Sequence, residues 1–149
     1  MATKNNPTDD NYVRMFYDHQ YERMAKLEEQ RLSMTNYVLT ISALAFTFGF
    51  KDQNSITLFN GLGLPLVIIV ANLFAIVYID RSGKFMYIHR ERAHEILKNF
   101  APELDTLNEK YKDPKKGLLG GRTKLQKLVH VLFVLIALLP IAIFLAQFR

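Results

Sequence analysis

Residues 32–50 read LSMTNYVLTISALAFTFGF, nineteen positions without an Asp, Glu, Lys or Arg. Two more stretches share that property: Gln53–Ile79, with 27 residues, and Leu128–Phe148, with 21. A helix needs roughly 20 apolar residues to cross the hydrocarbon core of a bilayer. Together the three stretches take up 67 of 149 residues, which leaves too little apolar chain for a separate soluble core. The expected fold is an all-α membrane protein with three transmembrane helices. It divides into a tail and helix (1–31), a two-span hairpin (32–79), a helical segment (80–127) and a third span (128–149).

Orientation follows from where the cations lie. Of 19 Lys and Arg, five fall in residues 1–31, twelve in 80–127, and one each at Lys51 and Arg149. Loops rich in Lys and Arg stay on the cytoplasmic side. The N-terminus and the 80–127 segment are therefore expected in the cytoplasm of a bacterial inner membrane, with the C-terminus outside. Cysteine is absent, which excludes disulfides, a thiolate nucleophile and a cysteine-ligated metal. About thirty polar and charged residues precede the first span, so it reads as an uncleaved helix.

Asp9 and Asp10 are suited to cap free backbone N–H groups, and good helix formers run from Tyr12 to Arg31. One helix of about 40 residues is predicted, entering the bilayer near Leu32. Asn60-Gly-Leu-Gly-Leu-Pro65 reads as a flexible approach to span two, in which Asn72 is the one strongly polar residue. Phe85, Ile88, Ile96 and Phe100 make an apolar stripe on a helix continuing to Phe100. Ala101-Pro102 should end that helix and begin a short one reaching about Lys112, and Pro140 permits a kink in span three.

Span one has two faces. At 100° per residue, Ser33, Asn36, Thr40, Ala43 and Thr47 share an arc of about 80°. Thr35, Ser42, Ala45 and Gly49 lie opposite, a small-residue surface that lets backbones approach closely. The Ser33/Asn36/Thr40/Thr47 stripe, with Asn72, is the candidate lining of an aqueous path in a homo-oligomer. The bland alternative is that these groups hydrogen-bond across helices. Asp18, Glu22 and Glu29 continue the phase below the stripe and would form an acidic vestibule, or simply a solvated face. Lys110, Lys112, Lys115, Lys116, Arg122, Lys124 and Lys127 form a basic cluster for membrane lipids, a partner protein or a nucleotide-type signal. No pattern supports an enzyme or a cofactor: His89 and His94 are five apart, off one helical face, and no metal site is expected.

The charged helix running into Arg31-x4-Asn36, the segment Gly83-Lys-Phe-Met-Tyr-Ile-His89 and Pro140-x3-Phe144 carry a resemblance. In outline the chain is similar to the SLATT-type membrane effectors of bacterial anti-phage systems. That resemblance implies an oligomeric, membrane-permeabilising effector held closed until a partner or nucleotide signal releases it. The competing expectation is a non-conducting adaptor that anchors or sequesters a soluble enzyme, with Phe85, Ile88, Ile96 and Phe100 as its contact surface.

Overall fold

The computed structural model describes residues 7–49, 57–110 and 121–147, without the side chains of 7–10, 108 and 109. Four helices account for nearly all of them: α1 (Pro7–Gly49), α2 (Leu64–Phe100), α3 (Pro102–Lys110) and α4 (Gly121–Ala146). There is no strand among the described residues. Three helices are long and apolar enough to cross a membrane: α1, α4, and α2 with the turn that leads into it. This is the architecture of a multi-pass membrane protein.

Helix α1 is 43 residues long and starts at Pro7, two residues before the expected caps. Proline suits a first turn, where its missing N–H would have no helical partner in any case. The approach to span two is wound rather than loose. Phe59–Gly63 form one wide π-turn that runs directly into α2. Thr57 and Asn60 close its start reciprocally, with Asn60 Oδ1 accepting from Thr57 N at 2.6 Å and Thr57 Oγ1 accepting from Asn60 N at 3.4 Å. Pro65, just inside α2, cannot donate to the carbonyl four residues back, and a widened turn accommodates that loss.

Helix α3 begins at Pro102, as the Ala101-Pro102 step predicts, and ends at Lys110. The expectation for residues 111–112 lies outside the described residues. Gly121 opens α4 with φ +73°, a left-handed conformation that glycine adopts without a Cβ penalty. The helix continues through Pro140 to Ala146.

The chain forms two compact units, and their boundaries at 30/31 and 81/82 fall close to the ends of charge-free stretches. The first comprises residues 1–30 and 82–116. In it, α1 and α2 meet through Ser82, whose Oγ donates to the Leu27 carbonyl at 3.3 Å, and through buried Gln20, whose Oε1 lies 2.8 Å from His89 Nδ1. Of the predicted apolar stripe, Phe85, Ile88 and Phe100 are exposed and Ile96 is half-buried.

The second unit, residues 31–81 and 117–149, holds the three apolar segments. On α2 the buried positions Pro65, Ile68, Asn72, Ala75 and Ile79 recur at spacings of three and four. On α1 they are Arg31, Thr35, Val38 and Ser42, and on α4 His130, Ala137 and Phe144. Three- and four-residue spacing keeps one stripe of each helix turned inward. A Cβ at Gly49 would collide with the Leu64 side chain, so α1 meets the start of α2 at a glycine.

Candidate functional site

Asn72 and His130 are both 0% exposed, and they sit on different helices of the apolar unit. The Asn72 amide donates to Ser42 Oγ on α1 at 2.9 Å and to the Ile68 carbonyl of its own helix at 2.9 Å. With the amide nitrogen so engaged, Oδ1 is left to accept. It does so from His130 Nδ1 of α4 at 2.7 Å. One side chain thus ties α1, α2 and α4 together. The bond also fixes His130 as the Nδ1–H tautomer when neutral. His130 Nε2 is buried and has no hydrogen-bond partner among the described residues, as does Thr35 Oγ1.

The polar stripe of α1 is placed differently. Ser33, Asn36, Thr40 and Thr47 are all exposed, on the side of α1 away from Ser42 and Asn72. Only Thr47 spends its hydroxyl locally, donating to the Ala43 carbonyl at 2.9 Å. The structure therefore does not bring Asn72 together with the other four candidates. Asn72 belongs to the packed interior of one chain, and the stripe faces outward from it. Ala43 borders an apolar groove with Phe46 of α1 and Phe133, Ile136, Leu139, Pro140 and Ile143 of α4.

Two polar contacts lie next to the charge-free stretches. Arg31 is buried and donates from Nη1 to Thr123 Oγ1 at 3.0 Å. Lys127 pairs with Asp80. Of the other basic candidates, Lys110 is exposed at the end of α3, and Arg122 and Lys124 are exposed in the first turn of α4. Lys112, Lys115 and Lys116 lie outside the described residues. Asp18, Glu22 and Glu29 are exposed along α1, Asp18 within 3.9 Å of Arg14.

In the charged unit, His89 and His94 serve separate contacts. His89 Nδ1 lies 2.8 Å from Gln20 Oε1, and His94 Nδ1 lies 2.9 Å from Asp105 Oδ1. Burial, reinforced by the positive charges of Arg92, Arg23 and His19, holds the His89 imidazole below its usual pKa. Among the described residues no group of three or more His, Asp or Glu could hold a metal ion. Sequence reasoning missed His130. As the one imidazole inside an otherwise aliphatic span, it was open to the same argument that singled out Asn72.

Comparison with protein-family models, with curated proteins and with solved structures finds no match to this chain.

Proposed function

We propose that the chain is a homo-oligomeric effector of the bacterial inner membrane, in which the polar faces of several α1 helices surround an ion-conducting path. One observation carries this reading: Ser33, Asn36 and Thr40 lie exposed on a helix apolar enough to cross a bilayer. Hydrocarbon offers no hydrogen bonds, so a polar face turned outward calls for other polar faces or for water. The opposite face of α1 is already occupied, since Thr35 and Ser42 are buried and Ser42 bonds to Asn72. Neighbouring chains are the natural partners for what remains.

In this reading the lysine- and arginine-rich residues 1–31 and 80–127 stand in the cytoplasm, the C-terminus lies outside, and the cytoplasmic helices receive the trigger. The resemblance to SLATT-type effectors would make anti-phage defence the setting of that trigger. Asn72, with Ser42 and His130, would hold each subunit's helices rigid around the path. Asp18, Glu22 and Glu29 would make its mouth acidic.

The test is current across planar bilayers containing the purified protein. Asn36→Leu and Thr40→Leu should abolish or sharply reduce it, while insertion and helicity are retained. Unchanged conductance in both variants would show that the stripe is packing. A second reading, a non-conducting adaptor, draws on the exposure of Phe85, Ile88 and Phe100 on the charged part of α2. It requires a soluble partner that co-purifies through those residues and no current from the assembled protein.

A further inference from the structure

A cleft of about 290 Å³ opens in the charged unit between α1 and α2, lined by Arg23, Lys26, Leu27, Gln30, Phe85 and His89. Its chemistry is one-sided. Two cations, an imidazole and an amide surround it, and none of its lining residues is acidic. Neither Arg23 nor Lys26 has a carboxylate partner among the described residues. Arg23 Nε instead donates to His19 Nε2 at 3.3 Å, one weak bond that leaves its terminal guanidinium nitrogens available. An anion in the cleft would be attracted by both cations.

His89 is held in the cleft by a buried amide, Gln20, which does not itself line it. Gln20 is 2% exposed. Its amide nitrogen lies 3.4 Å from the Phe16 carbonyl and its Oε1 faces His89 Nδ1. Since that oxygen only accepts, His89 carries its proton on Nδ1 when neutral, and Nε2 is the nitrogen left for a ligand. Protonated at Nε2, the ring would become a third cationic donor. The other walls are Leu27 and Phe85, an apolar surface suited to carbon and not to water.

We propose that this cleft binds a phosphate ester, with Arg23, Lys26 and His89 holding the phosphate and Leu27 and Phe85 covering the ester's carbon portion. Donors converging from two helices suit an anion with several oxygens better than they suit a single carboxylate. Along α1 the cleft ends at Gln30, next to Arg31 and just before the charge-free residues 32–50. That is the level at which a helix leaving a bilayer meets lipid phosphates. The same chemistry would also accept a soluble phosphate monoester. The site is independent of whether the protein conducts.

Full-length protein in micelles of a maltoside detergent, which carries no phosphate, is titrated with phosphatidylglycerol in one arm and with glycerol phosphate in the other. Binding is read by native mass spectrometry and by the NMR titration of the His89 ring. Arg23→Gln/Lys26→Gln should weaken binding roughly thirtyfold, as expected for two cations at headgroup range. Lys84→Gln/Arg90→Gln, with the same loss of charge outside the cleft, should change it less than threefold, on the order of one weak surface contact. The ligand should raise the pKa of His89 in wild type. Binding in the first arm only identifies a lipid headgroup, and binding in the second identifies a soluble ester. Equal losses in the two double variants would overturn the proposal, as would an unmoved His89 titration or no binding in either arm.

Discussion

Replacing Asn72 with Leu is expected to be the most costly polar substitution in the apolar unit, and the hydrogen bonds say by how much. The side chain makes two bonds to other helices, to Ser42 and His130, and one to Ile68 of its own. Interhelical hydrogen bonds within membranes average about 0.6 kcal/mol each, so the two contribute about 1.2 kcal/mol. Removing Asn72 also leaves the His130 Nδ1–H buried without an acceptor, a penalty of about 1–3 kcal/mol. Ser42 escapes such a penalty, because its hydroxyl can turn to a carbonyl one turn back on α1. The expected cost of Asn72→Leu is therefore about 2–4 kcal/mol.

His130→Leu should cost less, on the order of 1 kcal/mol. It removes one hydrogen bond and leaves Asn72 Oδ1 without a donor, but it also removes an Nε2 that is already buried without a partner among the described residues, which offsets that penalty. Replacing both partners with apolar side chains leaves no orphaned donor, so the double variant should cost less than the sum of the singles. The assay is reversible unfolding in mixed micelles, followed by helicity, over the full double-mutant cycle. Strict additivity, or a His130→Leu cost exceeding that of Asn72→Leu, would refute the reasoning.

In the charged unit, Leu97 is 8% exposed, and Leu97→Ala should destabilise it by about 2–3 kcal/mol, read as increased proteolysis within residues 82–100. The Lys127–Asp80 pair is partly exposed, so Lys127→Met should change stability by less than about 1 kcal/mol, with the effect shrinking further in high salt. Because burial and the nearby Arg92, Arg23 and His19 hold the His89 pKa low, the unfolded chain takes up that proton first as pH falls. The stability this contributes is present above about pH 6.5 and is lost as pH drops through and below it. His89→Gln should flatten that part of the pH–stability profile.

Much of this architecture was legible because lipid imposes strict rules on sequence. Charge exclusion over residues 32–50, 53–79 and 128–148 marks three helices, and the structure has three that satisfy it. Asn72 stood out for the same reason, as an amide where none is tolerated unless bonded. Its partners did not stand out, because Ser42 and His130 are 30 and 58 residues away along the chain. Only packing brings them to it. The 59–63 turn was misread as flexible, since Gly and Pro signal a break in helix but not that a π-turn will close it. Periodic apolar residues mark a face but not what covers it: Phe85, Ile88 and Phe100 are exposed, while Ser82 and Gln20 make the polar contacts between α1 and α2.

The central claim is that the outward polar face of α1 meets water in an assembled path. The chain has no native cysteine, so single cysteines can be placed one at a time and probed with a charged methanethiosulfonate reagent during bilayer recording. The account predicts that Asn36→Cys and Thr40→Cys currents are blocked, while Ile41→Cys and Phe48→Cys currents, from the neighbouring exposed apolar face, are not. Block at Ile41 and Phe48 with none at Asn36 and Thr40, or no current from any variant or wild type, would contradict it.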